Sequence, residues 1–300
     1  MIKTSAVFKT SEVLIKKILI YYLALQLIKY GADKLFKTQF YLPEPNILFT
    51  PFGQLDKDIL YWSTIGTSYS YNLFLGTAEI MAAIFILFNK TRFLGLMLAI
   101  GILVNVVAVN FSFDISVKIY SCFLLFISLV LLAPQLKRMY YFFILQKNTS
   151  LKTEPTLIFK NPFLKTCLKI IVMILIFTEA VFPYLKNKNF NDDKATRHFL
   201  HGAYQVINNA DFKRFFIHRE GHIIFQNTND EMQDFKLEID KNTNQFVLTD
   251  YELNQTKHPF IWNSKDRILK IQFEKNKLEA KAIDWKKLPV LQTQFHWTID

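Results

Sequence analysis

Long apolar runs dominate the first two-thirds of the chain and end near residue 185. Each run is long enough, at about 1.5 Å of helix per residue, to cross about 30 Å of hydrocarbon. The five runs lie at 13–36, 71–88, 93–111, 115–134 and 165–185. This pattern predicts a membrane all-α helical bundle of four spans, followed by one further transmembrane helix.

Shorter apolar runs with a period of two follow the last long run. Leu269, Ile271 and Phe273 alternate with polar residues, which is typical of a strand with one buried face. Turn-forming residues separate about seven such strands between residues 212 and 284. We therefore expect a soluble antiparallel β domain that forms a small barrel or sandwich.

Lysine and arginine cluster before the first run, between the second and third, and before the fifth. Because these residues are retained on the cytoplasmic side of short loops, we expect the N-terminus inside and the β domain outside. The predicted organisation is a four-span bundle at 1–135, a basic cytoplasmic loop at 136–164, a fifth transmembrane helix at 165–185 and an extracytoplasmic β-rich domain at 186–300.

The beginning of the chain permits a second interpretation, a cleaved signal peptide. Basic residues precede an apolar stretch at 18–28, as they do in secretory signals. No small-x-small cleavage site follows this stretch. We therefore expect it to be retained as a span.

Composition agrees with a membrane location and excludes several kinds of chemistry. Hydrophobic residues make up 51% of the 300 residues, more than a soluble core requires. The net charge of +11 follows from the basic loops, so we expect membrane lipids and no nucleic acid as partners. All six histidines lie beyond residue 197, which excludes a bis-histidine haem or a copper site within the bilayer.

Polar residues inside the predicted spans are the candidate site, because a charge in hydrocarbon is costly unless it faces a partner or a cavity. With the orientation above, they all fall in the outer half of the bilayer. They are Lys29, Asp33, Glu79, Asn105, Lys118 and Glu179.

Small and polar residues share the helical stripes of Glu79 and Asn105, so we expect both side chains to point into the bundle. One interpretation is structural: Glu79 pairs with Lys29 or Lys118 between helices. The other is a cavity that opens outward and binds a small molecule. The aromatic and proline-rich loop at 37–70, with a short helix at 55–65, would then be a lid over the cavity or an ordinary interfacial connector.

Three short motifs on these helices resemble the DoxX family over about residues 13–135. The motif residues are Gly31, Lys34, Gly76, Glu79, Thr91, Arg92 and Gly95. The resemblance implies a multi-pass protein of the bacterial inner membrane, and the founding member is a small subunit of a quinol-linked membrane complex. It also implies a quinone as a possible ligand. The chain differs from the compact family pattern in its fifth span and its C-terminal domain.

Two histidine pairs invite a metal interpretation, His198 with His201 and His218 with His222. If the hairpin between His218 and His222 has a two-residue loop, these two side chains lie on opposite faces. His198 and His201 could share a helical face, but two ligands make an incomplete site. We expect no metal and no catalytic residues, since the sequence also contains no phosphate-binding loop and no nucleophile elbow.

Two functional hypotheses follow from these observations. The first is a non-catalytic subunit or scaffold that holds partner proteins of an envelope redox or quality-control complex. The second is a binding or transport protein for a quinone or another small solute, which would use the polar cluster of the outer half. A stand-alone enzyme is the less favoured interpretation.

Overall fold

The computed structural model describes residues 2–147, 162–240, 243–273 and 276–292. The chain divides into two compact units. The helical unit comprises Met1–Tyr41 and Ser68–Lys194, and the barrel unit comprises Leu42–Thr67 and Ala195–Asp300. The helical unit thus extends to Lys194, and residues 42–67 belong to the barrel unit.

Eight α-helices occur among the described residues. They are α1 (Ile2–Leu35), α2 (Pro45–Leu48), α3 (Lys57–Thr67), α4 (Tyr69–Leu87), α5 (Arg92–Ser112), α6 (Lys118–Leu132), α7 (Leu136–Met139) and α8 (Pro162–Asn187). A π-helical turn, Tyr140–Ile144, continues α7. Part of the predicted basic loop at 136–164 is therefore helical, and its residues 148–161 lie outside the described part.

Four helical segments of the described chain are long and apolar enough to cross a membrane. They are Tyr69–Leu87, Arg92–Ser112, Lys118–Ile144 and Thr166–Lys194. These segments match four of the five predicted spans. The remaining predicted span, at 13–36, corresponds to helix α1. This helix is 34 residues long, but lysines at positions 16, 17 and 29 interrupt its apolar sequence.

Helix α1 contributes one face to the core of the helical bundle. It packs against α4, α6 and α8, and Leu23, Ala24 and Leu27 are buried in the shared core. Elsewhere on the bundle, Ile119 of α6 is 87% exposed and Phe74 of α4 is 65% exposed. Large exposed apolar side chains suit contact with hydrocarbon.

Two glycines set the close approach of α1 and α4. A Cβ atom on Gly31 would lie 2.7 Å from the carbonyl oxygen of Gly76, and one on Gly76 would lie 2.6 Å from that of Gly31. The helices run in opposite directions, since Gly31 lies against Ile80 and Gly76 against Leu35. Small residues at such crossings let helix backbones pack closely.

The described residues of the barrel unit form eight strands in a closed antiparallel barrel, in the order β1 to β8 with β8 paired to β1. The strands are β1 (Gly202–Val206), β2 (Phe212–His218), β3 (His222–Asn227), β4 (Met232–Asp240), β5 (Gln245–Thr249), β6 (Gln255–Asn263), β7 (Ile268–Gln272) and β8 (Lys277–Ile283). The predicted antiparallel β domain is confirmed, and of the two expected forms, a barrel or a sandwich, it is a barrel. The predicted strand count was too low by one, since it began at residue 212 and omitted β1.

Alternate residues of these strands fill the barrel interior. Phe215, Ile223, Phe246 and Leu269 are among the fully buried side chains of this core, and the ring centroids of Phe246 and Phe260 lie 4.2 Å apart. Eight strands enclose an interior about wide enough for side chains to fill. Hydrogen bonds between β1 and β8 leave the sheet without a free edge.

Residues 42–67, here named the strap, belong to the barrel unit, and the first part of the strap packs on the outer face of the barrel. Leu42, Leu48 and Phe49 join the cluster that includes Phe216 and Ile224. The side-chain amide of Gln226 donates to the Phe49 carbonyl oxygen at 3.1 Å. The helix predicted at 55–65 is present as α3, whereas the packing of this segment on the β domain was not predicted.

Replacing Gly76 by alanine should loosen the α1–α4 packing. The added methyl group would meet backbone atoms, so the free energy of unfolding should fall by about 1–3 kcal/mol. Thermal melting in detergent, followed by circular dichroism at 222 nm, measures this change.

Gly101→Ala is the matched control, because no atom lies within 4 Å of a Cβ added at Gly101. Its effect should stay within about 0.5 kcal/mol. Equal effects of the two substitutions would contradict the proposed crossing.

Candidate functional site

A buried ion pair joins α1 to α4. Lys34 Nζ donates to both carboxylate oxygens of Glu79, at 3.0 Å and 2.8 Å. Lys34 is 6% exposed and Glu79 4%. The same ammonium lies 5.6 Å from the ring centroid of Tyr30 and 5.8 Å from that of Phe40. Each charge is therefore held by the other inside the bundle, where neither could remain alone at low cost.

The glycine crossing makes room for this pair. A Cβ on Gly76 would lie 3.2 Å from the Cβ of Lys34, so the lysine stem passes over a position without a side chain. Glu79 follows Gly76 by three residues and therefore lies on the same helical face. The first two sequence motifs thus form one contact, in which the glycines allow the approach and the charges fix it.

The other polar residues predicted for the cluster form separate pairs. The prediction that Glu79 pairs with Lys29 or Lys118 was wrong. Lys34 lies opposite Gly76 and pairs with Glu79 on the same face of α4. Lys29 Nζ instead lies 3.7 Å from Glu179 Oε1, with side chains 40% and 64% exposed. Lys118 pairs with Asp114, four residues earlier in the turn between α5 and α6.

Asn105 does not point into the bundle, contrary to the prediction. It is exposed on α5, together with Gly101, Ala108 and Ser112. The buried amide of this helix is Asn110, which donates to Ser121 Oγ at 3.0 Å and ties α5 to α6. The small residues of α5 suggested a packing face, but the apolar side of the helix that contains Leu103 and Ala99 is the buried one.

The end of α1 carries two further polar contacts. Asp33 Oδ1 accepts hydrogen bonds from Tyr184 Oη on α8 at 2.6 Å and from Thr38 Oγ1 at 2.8 Å. Lys37 is fully buried, and its Nζ lies 3.3 Å from Asp193 Oδ2. The last turn of α1 is therefore fixed to α4, to α8 and to the segment after α8. Cations near a helix C-terminus also interact favourably with its exposed carbonyl groups.

The third motif closes the connection between α4 and α5. Arg92 Nε donates to the Ile86 carbonyl oxygen at 2.9 Å, and Thr91 Oγ1 to that of Phe85 at 2.9 Å. These carbonyl groups belong to the last turn of α4, where the backbone carbonyl oxygens have no N–H donor within their own helix. Gly95 allows close packing there, since an added Cβ would lie 2.6 Å from the Ile86 nitrogen.

Sequence reasoning selected Lys34 as a motif residue but missed its role as the partner of Glu79. The matching spacing, glycine followed three residues later by a charge on each helix, is the signal that was available. Asp193 carried no comparable signal, because it lies in an ordinary polar stretch after α8.

A second buried carboxylate holds the strap on the barrel. Glu44, 6% exposed, places Oε2 at 2.8 Å from His201 Nε2 and Oε1 at 3.1 Å from Arg219 Nε. His218 Nε2 lies 4.0 Å from Oε2. Burial acts to raise the pKa of Glu44, but the hydrogen bond to His201 and the charges of His201, His218 and Arg219 outweigh it and lower the pKa. Glu44 was not among the predicted site residues.

The arrangement of His218 and His222 corrects a prediction. The hairpin between them has a three-residue loop with Gly221 at a φ of +76°, so the two histidines are direct cross-strand partners on one face. Their ring centroids lie 6.4 Å apart. His201 lies in a turn before β1 and shares no helical face with His198. Among the described residues, no three His, Cys, Asp or Glu side chains converge to hold a metal ion.

Replacing Glu79 by leucine should leave the Lys34 charge buried without a partner. The free energy of unfolding should fall by about 3–5 kcal/mol, and the double variant Lys34→Met/Glu79→Leu should recover much of this loss. Circular dichroism melting of the four members of this mutant cycle measures the coupling.

Asp114→Asn is the control in the same unit, because Asp114 is 84% exposed and has a positive φ of 54° that asparagine tolerates. It should change stability by less than about 0.5 kcal/mol. A cycle with no coupling between Lys34 and Glu79 would refute a structural role for the pair.

Acid should release the strap from the barrel. Burial lowers the pKa of His218 below its usual 6.5, and the pKa of Glu44 is below its usual 4.5. In both cases the unfolded chain binds the proton more readily, so stability is lost as the pH falls below about 6.5 and again below about 4.5. Trp62, Trp262 and Trp285 belong to the barrel unit, and the sequence of the helical unit contains no tryptophan, so tryptophan fluorescence reports the unfolding of the barrel unit.

Glu44→Gln should lower barrel stability at pH 7 and flatten the pH dependence below about 4.5. Glu238→Gln is its control, since Glu238 is 58% exposed and paired with Lys236. If the stability of Glu44→Gln still falls below about pH 4.5 as it does in the wild type, groups other than Glu44 cause that loss.

Comparisons with known proteins provide one distant relative. No family model matches the chain, and no solved structure matches it. A protein of Bacillus subtilis (strain 168), described as uncharacterized protein YwoB, is 34% identical over 95 residues. The match covers 29% of this chain and 62% of the relative, which is less than two thirds of its length. The chain is thus similar to part of a protein whose description assigns no activity.

Proposed function

We propose that the chain is a multi-pass protein of the bacterial inner membrane, of the DoxX type, that acts as a non-catalytic subunit or scaffold. The helical unit is its anchor, and the barrel unit is its docking module outside the cytoplasm. The partner would be a protein of an envelope redox or quality-control complex. The Lys34–Glu79 pair is the observation that carries this proposal.

This pair supports a structural role because both charges are already satisfied. The carboxylate of Glu79 accepts two hydrogen bonds from Lys34, and both side chains are buried. A quinone or solute that used either group would have to separate them, and a separated charge in a helical bundle is costly. The motif residues Thr91 and Arg92 likewise bond to the end of α4. The family-like residues are thus engaged in holding helices together.

The proposed orientation rests on the placement of basic residues and on α1 as a fifth span. Helix α1 has the length for a crossing and shares one core with the apolar helices. Its polar residues Asp33 and Lys34 contact other helices and would not meet lipid. An odd number of spans puts the basic N-terminal segment and the barrel unit on opposite sides of the membrane.

The barrel unit offers an exposed apolar surface for a partner. Tyr251 and Leu253, in the turn between β5 and β6, are 82% and 80% exposed. Side chains of this kind are enriched at protein interfaces when they occur together on a surface. Leu253 also has a positive φ of 65°, which is unusual for leucine and favours an explanation in function over one in folding.

The direct test is purification of the tagged protein in a mild detergent, with mass spectrometry of the accompanying proteins and lipophiles. We expect a stoichiometric envelope protein. Leu253→Asn should reduce its recovery at least fivefold while leaving stability unchanged or higher, because asparagine suits a positive φ.

Ile207→Asn is the matched control, since Ile207 is an exposed apolar residue, 58% accessible, in the connection between β1 and β2. It should not alter recovery of the partner. A protein that purifies alone with bound quinone, and loses it on Glu79→Gln, would overturn the scaffold proposal and favour the small-molecule site.

A further inference from the structure

An open cavity of about 370 Å³ lies in the barrel unit, between the strap and the outer face of the sheet. Strand residues provide most of its wall, and Asn46 of α2 provides the part that belongs to the strap. Its lining is Asn46, His218, Glu220, His222, Ile224, Met232 and Asp234. These residues are not part of the helical unit, and the cavity is independent of the Lys34–Glu79 pair.

Hydrogen-bond acceptors outnumber donors on this lining. Asn46 Oδ1 is buried and has no hydrogen-bond partner among the described residues. The carboxylates of Glu220 and Asp234 add two negative charges. An orphaned buried acceptor is unfavourable until a donor reaches it. The cavity is therefore suited to a group that donates hydrogen bonds and carries positive charge.

The spacing of His222 and Asp234 indicates where such a group would bind. His222 Nδ1 lies 3.8 Å from Asp234 Oδ2, too far for a direct hydrogen bond. An ammonium nitrogen that lies to one side of the line joining these two atoms can be within hydrogen-bond distance of both, since they are only 3.8 Å apart. Its three N–H groups can then donate to the Asp234 carboxylate and to Nδ1 of a neutral His222 that carries its proton on Nε2. The other oxygen of Asp234 accepts from Tyr251 Oη, which fixes the orientation of the carboxylate.

His218 forms a wall of the cavity and does not compete for the ligand. Its Nδ1 accepts from the Glu220 backbone nitrogen at 3.2 Å, and its Nε2 faces Glu44 at 4.0 Å. Both ring nitrogens are thus turned toward the hairpin and the strap. Ile224 and Met232 supply an apolar surface, which suits an aliphatic stem attached to the cation.

We propose that this cavity binds a small primary amine, with its ammonium group between Asp234 and His222 and its alkyl chain on Ile224 and Met232. The site goes beyond the proposed scaffold function and does not depend on it. Lys236, the cross-strand neighbour of His222, is a nearby positive charge. It pairs with Glu238 at 3.1 Å and lies outside the cavity lining.

The test uses the full chain in detergent with butylammonium chloride as the probe, at pH 7.5 and constant ionic strength. Saturation-transfer NMR should show binding of butylammonium and none of butyrate. Asp234→Asn should raise the Kd at least tenfold, because it removes the charge but keeps the shape. Lys236→Met should lower the Kd, since it removes a competing cation.

Asp284→Asn is the control for a carboxylate outside the cavity; this residue pairs with Lys287 and its loss should leave the Kd within twofold. Tryptophan fluorescence melting identifies any variant that does not fold, and His222→Asn, also expected to weaken binding, replaces Asp234→Asn if the latter fails. No transfer to butylammonium, or equal transfer to butyrate, would overturn the proposal, as would a Kd unchanged in folded Asp234→Asn. Failure here would leave co-purification of an envelope partner unaffected, so the two proposals fail separately.

Discussion

The buried ion pair between Lys34 and Glu79 is the constraint on which the helical unit depends. Neither charge can face hydrocarbon alone at low cost, so α1 and α4 must meet at one position and in one register. Gly31 and Gly76 allow that meeting because their missing side chains let the backbones approach. Once this crossing is set, Asp33 meets Tyr184 and Lys37 meets Asp193. The last turn of α1 thereby fixes the core helix of the bundle to its neighbours.

A buried carboxylate with charged partners also stabilises the barrel unit. Glu44 of the strap is buried between His201 and Arg219, so a buried charge holds a segment that is distant in sequence on the sheet. Around it, Phe49 packs on Phe216 with ring centroids 5.8 Å apart. The barrel is closed by the pairing of β1 with β8, and the strap adds a wall beside its outer face. Asn46 of the strap lines the cavity next to His222.

Hydropathy and alternation were sufficient to predict a helical part, a β domain and the four helices that are long and apolar enough to cross a membrane. The length of an apolar run and the alternation of apolar and polar residues are local properties of a chain, so a single sequence shows both. The inward direction of Glu79 was also predictable, since Asn72, Gly76 and Ala83 share its stripe and are buried. Strand β1 was missed because its five residues, Gly202–Val206, show too few alternations to stand out.

The pairing of side chains could not be predicted in the same way. Whether Glu79 meets Lys29, Lys34 or Lys118 depends on the axial offset of two helices, which a single sequence does not specify. Asn105 was misplaced for a related reason: small residues mark a helix face, but not which neighbour covers it. The loop length between His218 and His222 depended on the positive φ of Gly221, and one residue of error reversed the predicted faces. Glu44 carried no motif at all, so only the fold could identify it.

Exchange of the two charges tests most directly whether the Lys34–Glu79 pair has a structural role. The variant Lys34→Glu/Glu79→Lys keeps an ion pair at the crossing but reverses which helix carries each sign. If the pair only holds α1 to α4, the exchanged protein should melt within a few degrees of wild type, far above either single exchange, and should recover the same partner in mild detergent. An exchanged protein that is equally stable but loses its partner, or loses a bound lipophile, would contradict this account and assign the pair to a binding site.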